Sequence, residues 1–109
     1  MFAKKNRLRQ HSRIKEIFQT GQNKHGKFVF IKYLPNSKKT ARLAVIVGTK
    51  INKSACKRNR LKRLLREALK QHLDTLSGLD ILVIAKPTLN TNISFADLTK
   101  DINYVIKKL

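Results

Sequence analysis

Leu61, Leu64, Leu65, Ala68 and Leu69 recur at intervals of three and four, which at about 100° per residue places them on one side of a helix. The stretch that holds them, ACKRNRLKRLLREALKQHL at 55–73, has six basic residues among the ten from Lys57 to Arg66 and no acid before Glu67. Such a segment is stable in water only with its leucine side sealed against other apolar structure and its cationic side turned outward. Asn59, Arg63, Arg66 and Lys70 fall opposite the leucines, with Arg60 and Lys62 on the flanks. At about 1.5 Å per residue this stripe is about 16 Å long, enough to meet several successive phosphates. Arginine dominates it, which suits bidentate contact with phosphate oxygens. A merely solvated face would intersperse acids in i,i+4 pairs, and only Glu67 interrupts this one.

The helix belongs to a wider asymmetry. Residues 1–66 hold 20 Lys and Arg against the lone Glu16 and so carry the whole formal charge of +19, whereas residues 67–109 hold five of each sign. Self-repulsion of that size destabilises a compact chain unless a polyanion neutralises it, and solubility requires far less. The 109 residues suffice for a single domain with one core, opened by a polar, basic arm at 1–11. The longest apolar runs, LAVIV (43–47) and ILVIA (81–85), are too short to span a bilayer. MFAKKNRLRQ leads into no apolar stretch of the kind a signal peptide has. Cys56 is the only cysteine and fits a reducing compartment. A cytoplasmic protein without a membrane partner is expected.

The remaining elements follow from caps, breakers and periodicity. Ser12 is placed to cap a helix SRIKEIFQT with Ile14, Ile17 and Phe18 on one side, stopped by Gly21. QNKHG reads as a loop, KFVFIKYL (27–34) as a strand ended by Pro35-Asn36, and ARLAVIV (41–47) as a second strand. GTKINK leads into the basic helix, which Ser54 caps. LDILVIAK (79–86) reads as a buried strand, with a further short strand expected near 88–93. Ser94 and Asp97 form a capping box for a last helix with Phe95, Leu98, Ile102, Val105, Ile106 and Leu109 on one face. The order α-β-β-α-β-α describes an α+β domain, a small mixed sheet packed by helices.

Familiar recognition and catalytic signatures are missing. The single cysteine and the scattered His11, His25 and His72 make no zinc finger. A strand, not a companion helix, precedes the basic helix, which argues against helix-turn-helix binding to DNA. Neither an RNP-type aromatic run nor a GXXG loop occurs. Phe18, Phe28, Phe30 and Tyr33 cluster around the first strand, as core or as stacking surface for bases. Alternation along 27–34 sets Phe28 and Phe30 on one side and Val29, Ile31 and Tyr33 on the other. The six acids are spread along the chain, so a protein-only, metal-dependent nuclease is not indicated.

GTKINKSACKRNRLKRLLREAL closely resembles the signature of the bacterial ribonuclease P protein subunit, a strand and a Lys-containing turn followed by an R-N-R-x-K-R-x-x-R helix. Arg58-Asn59-Arg60-Leu61-Lys62-Arg63-Leu64-Leu65-Arg66 fills every position of that helix motif. NRLRQHSRIKEIFQTG resembles the family's N-terminal segment and LDILVIAKP its later strand, so the similarity covers nearly the whole chain.

The resemblance implies a protein that binds a large catalytic RNA and assists removal of the 5′ leader from precursor tRNA. The RNA would carry the chemistry with Mg²⁺ that it largely holds itself, and no side chain of the protein would be catalytic. It also implies a left-handed β-α-β crossover around the basic helix. By the same resemblance, Lys50, Lys53, Arg58, Asn59, Arg60, Lys62, Arg63, Arg66 and Lys70 contact the catalytic RNA. Ile14, Phe18, Phe28, Val29, Ile31 and Tyr33 would line a leader cleft between the first helix and the sheet. Ile14 stands where the family usually has an aromatic residue, Ile31 where some members have tyrosine, and Thr49-Lys50 where two lysines are common. A ribosomal or RNA-chaperone protein with no role in tRNA processing is the alternative that composition allows.

Overall fold

The structure, a computed structural model, describes residues 3–109. Helix α1 (His11–Thr20) is followed by strands β1 (Gln22–His25), β2 (Val29–Pro35) and β3 (Arg42–Ile46). Helix α2 (Ala55–Lys70), strand β4 (Leu79–Ala85) and helix α3 (Phe95–Ile106) complete the chain. The four strands form one sheet in the order β1-β2-β4-β3, antiparallel except for the β3–β4 pair.

Each face of the sheet has its own helical cover. Val29, Ile31, Leu43, Ile81 and Val83 point to one side, where Leu61, Leu65, Ala68 and Leu69 of α2 and Leu98, Ile102 and Val105 of α3 close the main core. Leu82 points to the other side and meets Ile17 of α1 and Leu8 in a much smaller cluster. Leu43 therefore turns its side chain toward α2, while its carbonyl accepts from the Leu8 N–H at 2.9 Å on the edge away from β4. For an L-residue on a rising strand this puts β4 to the left as seen from α2. The β3–α2–β4 crossover is thus left-handed, against the usual preference.

Several boundaries depart from the sequence reading. Segment 22–25, read as a loop, is an edge strand: its side chains are polar and mostly exposed, so no apolar period marks it, and pairing with β2 alone makes it extended. Helix α1 starts at His11, with Gln10 at its N-cap and no side-chain capping bond, so Ser12 is not the cap. Residues 88–93 form turns that bury Leu89, and no strand occurs there. Of the basic arm at 1–11, residues 1 and 2 lie outside the described residues. The next residues are seated against β3: Asn6 is buried with its Nδ2 donating to the Ala41 carbonyl at 2.8 Å, and Leu8 is only 4% exposed.

The other two expected helix caps are present. Ser54 Oγ accepts from the Lys57 N–H at 3.4 Å, and Ser94 Oγ accepts from the Asp97 N–H at 3.1 Å. Asp101 ties α3 to the sheet. Its buried carboxylate accepts from the backbone N–H groups of Lys27, Phe28 and Val29 at 2.7, 2.8 and 3.2 Å. Gly26 allows this close approach, since a Cβ there would lie 2.7 Å from Asp101 Oδ1 and 2.5 Å from Val105 Cγ2. No helix among the described residues is long and apolar enough to cross a membrane.

Candidate nucleic-acid interface

Helix α2 forms because it has a capped start, no β-branched residue and a leucine face that the sheet buries. Its electrostatics run against helix stability. The first turn has no acid and instead places Lys57 and Arg58 at the positive end of the helix dipole, an arrangement unfavourable by about 0.3–1 kcal/mol per charge at low salt. Departures of this kind from the local rules are where functional surfaces are expected.

Of the residues assigned to this face, Lys50, Lys53, Asn59, Arg60, Arg63 and Lys70 are exposed, and Arg58, Lys62 and Arg66 are half-buried. Among the described residues none of these cations lies within 4 Å of a carboxylate; the ion pairs belong to Arg13 and Arg42. Arg58 has a structural duty besides. Its Nη1 donates to the carbonyls of Asn52 and Lys53, both at 2.9 Å, and so holds the turn that aims the helix. Arg60 Nη1 reaches the Thr91 carbonyl at 3.5 Å. Arg66 lies beside Arg7 and Arg9, where the N-terminal segment, β3 and α2 enclose a hollow of about 300 Å³. Arg7 and Arg9 were not singled out from the sequence. The only signal was the charge of the arm, and its docking depends on Leu8 and Asn6.

The opposite side of the sheet is partly open. His25, Phe30, Ile84 and Ile46 stand in register on β1, β2, β4 and β3, and they form one row across all four strands on the α1 side. His25 and Phe30 stack with ring centroids 5.3 Å apart, and Phe30, Ile84 and Ile46 remain half-buried. Phe18 is 42% exposed at the end of α1. Lys32 Nζ donates to the Phe18 carbonyl at 3.1 Å, and Ile14 packs on the small cluster beneath.

This arrangement corrects the expected cleft. Val29 and Ile31 are 0% exposed under α2 and α3, and Tyr33 packs on that same side with its hydroxyl donating to Gln22 Oε1 at 3.0 Å. Phe28 precedes β2, escapes its alternation and packs toward α3. Because strand side chains alternate, a shift of one residue exchanges the faces, and the open positions are Phe30 and Lys32. Of the six residues assigned to the cleft, only Ile14 and Phe18 lie on the α1 side.

A buried clasp holds α1 in place. Asp80 is fully buried and accepts from Arg13 Nε at 2.8 Å, Arg42 Nε at 2.7 Å and Asn36 Nδ2 at 2.8 Å. Burial raises the Asp80 pKa, but the hydrogen bonds from Arg42, Arg13 and Asn36 outweigh it and hold the carboxyl below its ordinary value. Arg13 also donates to the Pro35 carbonyl and to Glu16, which fixes the helix over β2 and β4.

The comparisons with known proteins agree with this architecture. The model of the family described as Ribonuclease P matches residues 2–109. A ribonuclease P protein component of Fusobacterium nucleatum is 30% identical over 106 residues, covering 94% of this chain and 95% of the relative. That of Azotobacter vinelandii is 33% identical and covers 99% of this chain and 83% of its own length. The solved RNase P protein of Thermotoga maritima superposes with a TM-score of 0.83 at 24% identity, over 94% of this chain and 96% of that one, a likeness of fold.

Proposed function

Since the chain belongs to the ribonuclease P protein family, we propose that it serves as the protein subunit of that ribonucleoprotein and assists removal of the 5′ leader from precursor tRNA. The observation that carries this reading is the α2 face, where cations of one sign line a capped, leucine-anchored helix and none is paired with a carboxylate among the described residues. Lys53, Asn59, Arg60, Lys62, Arg63, Arg66 and Lys70 would meet phosphates of the catalytic RNA, with Arg7 and Arg9 extending the contact past Arg66. Arg58 contributes with the N–H groups that the 52–53 turn leaves free, and Lys50 extends the face from that turn. The single-stranded leader would lie across the row His25–Phe30–Ile84–Ile46, with Phe18 and Lys32 at its border.

The chemistry belongs to the RNA, with Mg²⁺ that the RNA holds, and the protein contributes binding and position. Three of the six acids have partners within the fold, in keeping with that division. Glu16, Asp80 and Asp101 are engaged by Arg13, by the clasp and by backbone amides respectively. The protein would work in the cytoplasm, alongside its RNA partners.

Single-turnover cleavage of a 5′-extended precursor tRNA at low Mg²⁺, using a bacterial ribonuclease P RNA with and without this protein, tests the reading. Cleavage is expected only when both are present, with none from the protein alone. RNA binding that leaves cleavage unchanged would favour a ribosomal or chaperone role.

A further inference from the structure

A second hollow lies outside both surfaces used above. Lys27 and Phe28, from the turn before β2, and Asp97, Lys100, Asp101 and Tyr104, from the outer side of α3, surround about 390 Å³. That volume is in the range of sites for small ligands. Tyr104 is 56% exposed, so its ring is open to a ligand from solvent. Lys108 Nζ lies 4.2 Å from the Tyr104 ring centroid and Lys27 Nζ 5.2 Å from that of Phe28, so positive charge gathers beside both rings of the hollow.

The polar groups narrow the ligand. The Asp101 carboxylate is already used by three backbone amides, so Asp97 is the acceptor left to a ligand and Lys27 and Lys100 are the donors. No ion pair ties Asp97 to Lys100 among the described residues. An aromatic slot with an acceptor and a donor one helical turn apart matches the edge of a nucleobase. Guanine fits best, because its N1–H and N2–H₂ can both donate to one carboxylate while its O6 accepts from an ammonium. Lys27 and Lys108 place positive charge at the rim, where the adjoining phosphates of a strand would run.

We propose that the hollow between Phe28 and Tyr104 is a binding site for one unpaired base of an RNA strand, preferentially guanine, separate from the α2 face and from the row on the α1 side. The inference rests on the chain being an RNA-binding protein, and the two are tested separately.

The experiment is an amide-resolved NMR titration of the full chain with guanosine 5′-monophosphate, using ribose 5-phosphate and N-acetylphenylalanine amide as controls. Saturable shifts are expected at Phe28, Lys100 and Tyr104 with the nucleotide, weaker by about tenfold in Tyr104→Ala and retained in Tyr104→Phe. They should persist in the double variant Arg63→Glu, Arg66→Glu, whose loss of RNA affinity tests the α2 face alone. Equal shifts with ribose 5-phosphate would reduce the site to lysine–phosphate attraction and overturn the proposal. Saturation by the phenylalanine amide in place of the nucleotide would overturn it in favour of a protein partner. The wild-type titrations decide between these outcomes even if Tyr104→Ala fails to fold.

Discussion

The two sides of the sheet hold their helices by different means. Under α2 and α3 the core is continuous and apolar, and the arginines of α2 project outward without carboxylate partners. Under α1 the fully buried apolar contact shrinks to Leu8, Ile17 and Leu82, and two arginines are drawn inward onto Asp80. Hydrophobic attachment is non-directional and scales with the area covered, so a helix held that way must cover the sheet beneath it. A clasp of charge-assisted hydrogen bonds holds a helix by one end and leaves the neighbouring row, His25 to Ile46, partly open. The same residue type thus serves opposite ends: Arg13 and Arg42 build the surface, whereas Arg63 and Arg66 present it.

The largest effect that would break this contrast is on stability. Asp80→Ala leaves Arg13 and Arg42 facing one another without their anion and should lower the unfolding free energy by about 3 kcal/mol in urea titrations. A change below about 0.5 kcal/mol would mean that α1 is held by its apolar contacts after all. On the other side the effect should move entirely to binding. Arg63→Glu with Arg66→Glu should weaken RNA affinity about 100-fold, roughly 1.4 kcal/mol for each arginine–phosphate hydrogen-bonded pair, with stability within about 0.5 kcal/mol of wild type. The dependence of log affinity on log salt should also become shallower by about two, one for each phosphate released.

A smaller effect separates the two faces of a single strand. Phe30→Ala should reduce affinity for a single-stranded leader about tenfold, as removal of one stacking surface does, at little expense to folding. Val29→Ala, one position earlier and fully buried, should destabilise the protein by about 2 kcal/mol and leave leader affinity unchanged in the folded molecule. Equal reductions of leader affinity in both variants would contradict the assignment of faces.

Helix α2 was legible because two signals coincide in it: leucines at the helical period and cations on the opposite side. The strand 27–34 was only half legible. Alternation separates Phe30 from Val29 and Ile31, but nothing local says which set faces α1. That depends on the pairing of Phe30 with Ile84 across the sheet and on where Ile17 lands. Asp80 was not distinguished from the other acids, since its partners Arg13 and Arg42 lie 67 and 38 positions away and no local pattern joins them. The arm reads as solvated by composition. Its docking rests on Leu8, Asn6 and the free edge of β3, signals too sparse to outweigh the charge around them.

The smallest effect is a pH dependence confined to one side of the sheet. Asp80 has a native pKa below its ordinary value of 3.8, because hydrogen bonds from Arg42, Arg13 and Asn36 outweigh the burial that would raise it. A group depressed in this way contributes its stability in full above the unfolded value and loses it as pH falls through the lower native one. The clasp should therefore weaken below about pH 4. Asp80→Asn cannot titrate, so its unfolding free energy should fall less steeply than that of wild type between about pH 5 and pH 2. The difference will be modest, because it reports a single carboxylate. Parallel stability–pH curves for wild type and Asp80→Asn would show that the Asp80 carboxylate does not set the acid response, and the attachment of α1 would then have to be credited to Ile17 and Leu82.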